Sequence, residues 1–464
     1  MQSSRRRFLS ATSRVTAGFL GLRALKSQAG EIEFEKPEFG YGPLIADPKG
    51  LFSLPVGFSY RIVSRKNSKM DDGFVVPGSP DGMAAFEGPY GLCVVIRNHE
   101  LSPEDPGPFG KDHEHLSKAN LGDFYDAGED LTPCSGGTTT LVYDTKKSKV
   151  VRQFLSLGGT IRNCAGGPTP WNSWITCEEA QDLPGHYEKT KVTIEKDHGY
   201  NFEVPVTTDI SLANPIPLKE MGRFRHEAVA VCPKTSIVYQ TEDQDDGLMY
   251  RFIPNKKRKL HKGGQLQVMH VIDQKSCDTR NWKEETIKPG STVQVEWKDI
   301  DDPTAPEDDL RLRGFEAGAA KFARGEGIWR GDGGEIYFAT TSGGKAKKGQ
   351  IWKYLPSPNE GSKSEAKEPA KLELFIESAK GGVVEDADNL TISPWGDLIV
   401  CEDRATDVVR LVGVTPDGRQ YPFAMNHSNG ELAGVCFSPD GSTLFVNIQK
   451  RGLTLAVTGP WQEA

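Results

Sequence analysis

The chain has 464 residues, of which 37% are apolar and 26% are charged, and its net charge at pH 7 is −8. This length can bury a large core, and a mean hydropathy of −0.48 is too low for a protein with many membrane-spanning helices. The negative charge disfavours a surface that binds nucleic acid, so we expect no nucleic-acid partner. The 50 glycines and 30 prolines favour many turns and short strands over long helices.

The N-terminus has the features of an export signal. Paired arginines in Ser4–Leu9 precede a weakly apolar stretch up to Leu25, and Ser27–Ala29 looks like a small-residue cleavage site. This pattern resembles a twin-arginine signal, and the alternative is a basic, flexible tail. The apolar stretch is too short and polar for a stable membrane anchor. We therefore expect residues 1–29 to engage the twin-arginine export machinery, and residues 30–464 to form one domain in the periplasm or outside the cell.

The eight cysteines are even in number and contain no C-x-x-C motif. A zinc finger or a thioredoxin-like site is therefore not expected. The sequence leaves open which cysteines pair with one another.

A strand–turn–strand pattern recurs along the chain. Each copy begins with acidic or small residues, continues through two apolar strands joined by a turn, and ends in a polar cluster. The copies begin at Asp81, Cys164, Glu227, Glu326, Asp388 and Ala433. Such copies, several followed by a further strand, predict an all-β fold, a six-bladed β-propeller. Long inserted loops are expected between copies, at about 101–135, 181–222, 254–315 and 355–380.

The polar ends of the copies are expected to meet at one mouth of the central channel. The start of the first strand and the end of the second lie at the same edge of an antiparallel hairpin. The residues concerned are Glu100, Cys177, Glu178, Glu179, Glu227, Glu242, Asp243, Glu326, Asp388, Glu402 and Asp403. So many carboxylates repel one another unless cations lie between them. The sequence therefore predicts a site with several metal ions.

The types of ligand narrow the choice of metal. Carboxylate oxygens suit Ca²⁺, Mg²⁺ or Fe³⁺, whereas the thiolate of Cys177 indicates at least one transition ion. Cys401 has the equivalent position in its own copy and is either a ligand or a buried strand residue. Arg324, two residues before Glu326, offers a planar fork for two oxygens of a phosphate ester.

Several segments resemble the PhoX-type alkaline phosphatases. The longest is GGTIRNCAGGPTPWNSWITCEE at 158–179, followed by RHEAVAV at 225–231, RGEGIW at 324–329 and SPWGDLIVCED at 393–403. The similarity extends from about residue 50 to the end of the chain, with gaps in the long loops. The sequence is therefore similar to that family over most of its length.

The resemblance implies an exported, monomeric phosphomonoesterase that acts on small phosphate esters. It also implies a cofactor of two Fe³⁺ ions, two or three Ca²⁺ ions and a bridging oxo group. Cys177 would ligate iron, Glu227 and Glu326 would ligate the iron–calcium cluster with Glu178 as a further ligand, and Arg324 would be the catalytic residue that binds phosphate. Repeat position alone adds further metal ligands, namely Asn98, Glu100, Glu242, Asp243, Asp388, Glu402 and Asp403.

Two other functions fit the same repeat. One is a calcium-dependent propeller hydrolase acting on lactones or phosphotriesters, which needs neither a cysteine ligand nor Arg324. The other is a non-catalytic, secreted binding propeller in which carboxylates hold structural Ca²⁺ only. Iron content separates the phosphatase from the first alternative, and turnover separates it from the second.

Overall fold

The computed structural model describes residues 39–128, 132–404, 406 and 408–462. The expected export signal, residues 1–29, lies outside these residues and stays a prediction. Within the described part of the chain, no helix is long and apolar enough to cross a membrane. All eight cysteines are described and none is in a disulfide.

The unit from Pro43 onward consists almost entirely of β-strands. Its first strands are β1 (Leu44–Ile45), β2 (Phe52–Pro55), β3 (Ser59–Arg65), β4 (Pro80–Glu87), β5 (Cys93–His99), β6 (Gly136–Asp144), β7 (Lys149–Thr160), β8 (Asn163–Pro168), β9 (Ser173–Glu178), β10 (Gly185–Tyr187), β11 (Val192–Ile194) and β12 (Asn201–Pro205). The middle of the chain forms β13 (His226–Val231), β14 (Val238–Glu242), β15 (Gly247–Pro254), β16 (Gly264–Val271), β17 (Thr292–Asp299), β18 (Lys321–Phe322), β19 (Gly325–Arg330), β20 (Ile336–Thr340), β21 (Gln350–Leu355) and β22 (Ala370–Glu377).

The last strands are β23 (Ala387–Ile392), β24 (Leu398–Glu402), β25 (Val409–Val414), β26 (Gln420–Asn426), β27 (Leu432–Phe437), β28 (Leu444–Ile448) and β29 (Leu453–Thr458). A described α-helix, α1 (Leu310–Ala317), lies in one of the predicted inserted loops. Short 3-10 turns lie at Pro89–Gly91, Gly107–Phe109, Leu116–Lys118, Leu121–Asp123, Lys219–Met221, Leu260–Lys262 and Glu365–Lys367. The structure thus has the strand-rich composition that the glycine and proline content predicts.

The strands pair into antiparallel meanders. Strands β4 to β7 form one sheet, and β8, β9 and β12 form the next. Strands β13 to β17 and β19 to β22 are two meanders joined where β17 pairs with β22. Strands β23 to β26 continue into β2 and β1, and β27 to β29 are completed by β3. Strand β3, from the first part of the chain, therefore completes the sheet that the last three strands form.

The first strands of these meanders surround a common axis. Strand β4 contacts β8, β8 contacts β13, β13 contacts β19, β19 contacts β23, β23 contacts β27, and β27 contacts β4. We call these the inner strands. Their closed order confirms the prediction of an all-β, propeller-like fold.

Each inner strand has a β-bulge at its start. Its first residue pairs with the last residue of the neighbouring strand, and the ladder then shifts before the fourth residue, as between His226 and Val229 or between Gly325 and Ile328. The same shift occurs in β4, β8 and β23, whereas in β27 it lies one residue later, between Ala433 and Cys436. A bulge changes the direction of the side chains within it, so the second residue of each inner strand has an equivalent position in its sheet.

Small residues follow that position and let the inner strands approach one another. A Cβ atom at Gly327 would lie 2.7 Å from the carbonyl oxygen of Asp388, and one at Gly434 would lie 2.2 Å from that of Asp81. Both distances are shorter than real contacts of a Cβ atom. The acid-then-small pattern of the repeat therefore has a packing reason as well as a chemical one.

Candidate metal centre

The second residues of the inner strands bring together most of the acidic groups of the site. With neighbouring residues they form three overlapping groups whose ligand atoms lie within 4.8 Å of one another. We call this set the mouth cluster; the groups are Asp81, Glu100 and Cys164, then Cys164, Glu179 and Glu227, then Glu227, Glu326 and Asp388. The groups share members, so the cluster is continuous and can hold more than one ion.

The cluster contains buried oxygen atoms that lack a hydrogen-bond donor. Among the described residues, no N–H or O–H group donates to either carboxylate oxygen of Glu227 or to Oδ1 of Asp388. A buried carboxylate without a partner is costly, and a bound cation removes that cost. Hard carboxylate oxygens together with the Cys164 sulfur suit a mixture of oxygen-seeking and transition metal ions. The residues present therefore fit a polynuclear metal centre.

Electrostatics supports the same interpretation. Burial raises the pKa of Glu227 well above its usual range, and the Asp388 and Glu179 carboxylates raise it further. Burial and Asp403 raise the pKa of Asp388 to about 7. Burial raises the pKa of Glu179 to about 8, although Arg162 opposes this. Bound cations reverse these shifts, because they favour the ionised carboxylates.

A second row of polar residues borders the cluster. The residue after each second strand donates its backbone N–H to the carbonyl of the residue before the inner strand. These hydrogen bonds join Glu100 to Ser79, Glu179 to Arg162, Asp243 to Arg225, Thr341 to Arg324, Asp403 to Asp386 and Gln449 to Glu431, with lengths of 2.9–3.1 Å. The hydrogen bond fixes both ends of each hairpin, which positions the second row at the mouth.

Three consecutive meanders carry arginine immediately before the inner strand. Arg324 donates from Nε to Asp243 across 2.7 Å, and its Nη2 lies 2.9 Å from Glu326. Arg162 forms ion pairs with Glu100 and Glu179, whereas Arg225 reaches Glu179 only at 4.0 Å. The side chains of Arg162, Arg225 and Arg324 are 40%, 47% and 37% exposed. Positive charge therefore lies between the buried acids and the solvent.

The comparison with known families agrees with this site. The sequence profile described as "Alkaline phosphatase PhoX" matches residues 39–150 and 131–452. The chain belongs to the PhoX family.

Among solved structures, Pseudomonas fluorescens PhoX in complex with vanadate, a transition-state analogue, has a TM-score of 0.66. It is 18% identical, and the match covers 91% of this chain and 98% of that one. The periplasmic gluconolactonase PpgL of Pseudomonas aeruginosa matches at a TM-score of 0.41 and 13% identity, over 85% of this chain and 90% of that one, too weakly to support an argument. No curated protein matches the sequence. The PhoX structure supports the propeller-like fold.

Two predicted ligands are not members of the three groups that form the mouth cluster. Cys177, which the resemblance to the PhoX family assigned to iron, is fully buried in an apolar cluster with Val229 and Tyr250. Burial raises the pKa of its thiol well above the usual range. The Asn98 amide donates to the carbonyls of Cys164 and Ala165, and its oxygen accepts hydrogen bonds from Trp174 and Thr176. Both residues therefore lie outside the mouth cluster, and Cys164 is the cysteine within it.

Three predicted carboxylates are bound within their own sheets. Each is the last residue of a second strand: Glu178, Glu242 and Glu402. Glu178 accepts hydrogen bonds from the backbone N–H groups of Ile161, Gly199 and Tyr200. Glu242 accepts from the backbone of Leu248 and the hydroxyl of Tyr250, and Glu402 from the backbone of Glu385 and from Arg410. Because their oxygens accept hydrogen bonds from protein donors, these three carboxylates stabilise their hairpins.

The other predicted residues lie at the mouth: Glu100, Glu227, Asp243, Glu326, Asp388, Asp403 and Arg324. Sequence reasoning did not select Asp81, Cys164 and Glu179 as ligands, nor Glu431, whose pKa is raised by burial and then by Asp388. Position in the repeat could have identified two of them, because Asp81 and Cys164 begin their copies as Glu227 does.

A separate buried group contains Asp126, Cys134 and His198. His198 lies between two carboxylates, with Nδ1 2.6 Å from Glu178 and Nε2 3.3 Å from Asp126. Asp126 also accepts hydrogen bonds from the backbone of Gly128, Glu195 and Lys196. Protein donors thus satisfy these carboxylates, in contrast to Glu227 of the mouth cluster.

Proposed function

We propose that this chain is a metal-dependent phosphomonoesterase that releases inorganic phosphate from small phosphate esters. The observation that carries the proposal is the cluster of buried carboxylates in which Glu227 and one oxygen of Asp388 lack a hydrogen-bond donor among the described residues, bordered by the partly exposed Arg324. Membership of the PhoX family supports it, as does the similarity in fold to a PhoX that binds vanadate, a transition-state analogue.

The proposed cofactor contains iron and calcium. Cys164, Glu179 and Glu227 would hold a transition ion, since they combine a thiolate with two carboxylates. The all-oxygen group of Glu227, Glu326 and Asp388 suits calcium. When bound, the ions supply Lewis acidity and offset the charge on the phosphoryl group.

The chain's own residues bind and orient the ester. Arg324 offers to the phosphate oxygens the guanidinium N–H groups that its contacts with Asp243 and Glu326 leave over, and Asp243 holds that guanidinium in place through Nε and Nη2. Glu326 neutralises part of the arginine's charge from the side of the cluster. The burial of the cluster beneath these residues limits the entry of water and strengthens each charged contact.

The finer description of the fold and the location of the protein are part of the same proposal. Each inner strand would begin one blade, so β4, β8, β13, β19, β23 and β27 support a six-bladed propeller. The N-terminal twin-arginine motif supports export through that pathway, with residues 30–464 as a monomeric domain in the periplasm or outside the cell.

Metal analysis of the purified protein beside hydrolysis of p-nitrophenyl phosphate tests the proposal. We expect bound iron and calcium, and turnover that a strong calcium chelator abolishes. Glu326→Gln should lose both metal and turnover, whereas the exposed Glu368→Gln should keep both. Calcium without iron, and no phosphatase turnover, would instead favour the lactonase-type hydrolase or the binding propeller.

A further inference from the structure

A groove on the surface of the unit has a strongly positive lining. It has a volume of about 750 Å³ and five cationic side chains, Lys49, Arg65, Lys66, Lys450 and Arg451. We call it the basic groove. No aspartate or glutamate lines it, and all five cationic residues are exposed. Among the described residues, none of these cations lies within ion-pair distance of a carboxylate.

The basic groove begins beside the mouth cluster. Lys450 directly follows Gln449, whose side-chain amide donates to Asp81 across 2.6 Å and to Glu100 across 2.8 Å. On the other wall, Asn429 lies two residues before Glu431, whose carbonyl accepts the backbone N–H of Gln449. The groove and the proposed phosphatase site therefore share these two loops.

The walls of the groove are fixed by backbone pairing. The backbone N–H of Lys66 donates to the carbonyl of Gly452 across 2.8 Å, and Arg65 is in register with Leu453 between β3 and β29. Arg451 donates from Nε to the carbonyl of Ser428 across 3.3 Å. The side chains of Arg65, Lys66 and Arg451 therefore extend from backbone that hydrogen bonds hold in place.

The charge of the groove is opposite to that of the whole protein. With a net charge of −8, the chain has an excess of acids elsewhere, yet five cations line this groove and none of them pairs with a described carboxylate. Like charges at close range raise the energy of the unliganded groove, and a ligand with several negative charges relieves that repulsion. One phosphate would neutralise only part of this charge, so the groove suits a row of phosphates.

We propose that the basic groove binds a ligand with a linear row of phosphate groups. Inorganic polyphosphate and a short single-stranded oligonucleotide both supply this chemistry. Leu51, Ile62 and Leu453 lie between the cations and give the groove apolar surface as well. Binding there needs no metal and no catalytic step, so it does not depend on the proposed phosphatase function.

Titration calorimetry of the purified, metal-loaded protein tests this, with short-chain inorganic polyphosphate and oligodeoxythymidine as the two probes. The variant is Lys66→Glu/Lys450→Glu. The matched control is Lys256→Glu/Lys259→Glu, which makes the same charge change at two exposed lysines between β15 and β16. We expect the groove variant to bind polyphosphate at least about tenfold more weakly and with a shallower salt dependence.

The control should bind within about twofold of the wild type, and all three proteins should hydrolyse p-nitrophenyl phosphate equally. If the groove variant binds polyphosphate more weakly, with or without weaker binding of oligodeoxythymidine, the proposal is supported with polyphosphate as a source. If only the binding of oligodeoxythymidine is weakened, the proposal is supported with nucleic acid as the source. Unchanged binding of both probes, or equal weakening in the control, overturns the proposal. Absence of phosphatase turnover with groove-dependent binding intact would refute the proposed function and leave the groove assignment standing.

Discussion

Arg324 donates from Nε to Oδ1 of Asp243 across 2.7 Å, which joins the residue before β19 to the residue after β14. A second bond of 3.1 Å runs from Nη2 to Oδ2 of the same carboxylate. This paired contact comes from two neighbouring meanders, so it fixes the guanidinium before any ester binds. The planar fork and its carboxylate therefore act as one unit at the mouth.

The first prediction concerns the shape of Arg324. Arg324→Lys keeps a positive charge but loses the planar guanidinium, which pairs with both oxygens of Asp243 and has further N–H groups for the ester. We expect kcat/KM for p-nitrophenyl phosphate to fall by about 100-fold, with metal content unchanged. Arg313→Lys, at an arginine of α1 paired with Asp309, is the control and should keep wild-type kinetics. Wild-type kcat/KM in Arg324→Lys would show that the fork does not contact the ester.

The second prediction distinguishes the two cysteines near the site. Cys164→Ser should lose the transition metal, measured by metal analysis and by the visible absorption of the purified protein. Cys177→Ser should keep the metal but reduce the free energy of unfolding by about 1–3 kcal/mol, because it buries a hydroxyl among apolar side chains. Urea denaturation followed by fluorescence measures the second effect. Loss of metal from Cys177→Ser alone would return the ligand role to Cys177.

The repeat indicated that acidic residues of several copies lie near one another, but it did not predict which residues of each copy form the mouth cluster. Glu227, Glu326 and Asp388 were selected because each begins its copy of the repeat. For the second strands, the sequence selected both Glu242 and Asp243 but did not show that only Asp243 lies at the mouth. The difference is one residue, and the side-chain alternation of a strand makes one residue decisive.

The sequence selected Arg324 but did not indicate that Arg162 and Arg225 have the same position before their inner strands. Arg162 and Arg324 have positive φ angles of 45° and 55°, a conformation that most residues avoid. The hydrogen bonds from Glu179 and Thr341 to their carbonyls hold them there. These contacts join the two ends of a hairpin, and composition and periodicity contain no information about them.

The third prediction concerns His198 and pH. Burial lowers the pKa of His198, but Glu178 and Asp126 raise it by more, so the net pKa lies well above its usual range. A folded pKa above the unfolded one gives stabilisation that is complete below about pH 6.5 and is lost as pH rises through the folded pKa. His198→Gln should therefore cost more unfolding free energy at pH 6 than at pH 10.

Urea denaturation of wild type and variant at both pH values measures this difference. The exposed His186→Gln serves as the control and should show the same small effect at each pH. A cost for His198→Gln that is equal at both pH values, or larger at pH 10, would mean that the imidazole is neutral between its two carboxylates.

The fourth prediction uses Glu227 to separate metal binding from packing. Both of its carboxylate oxygens lack hydrogen-bond donors, and burial, Asp388 and Glu179 all raise its pKa. Without metal, Glu227→Gln replaces a carboxyl whose ionised form is disfavoured by burial and by its neighbours with a neutral amide, so the chelator-treated variant should melt at the same temperature as the chelator-treated wild type or higher. With metal, the variant loses a ligand and should melt at a lower temperature than wild type, by an amount that corresponds to about 1–3 kcal/mol.

Differential scanning calorimetry of the loaded and chelator-treated proteins measures both responses. Glu368→Gln, at an exposed position, should leave both melting temperatures unchanged. A lower melting temperature for Glu227→Gln in both states would mean that Glu227 stabilises the fold by packing alone. Opposite responses in the two states are expected only if the carboxylate is held in its buried position to bind a cation, because the same charge then destabilises the empty site and stabilises the filled one.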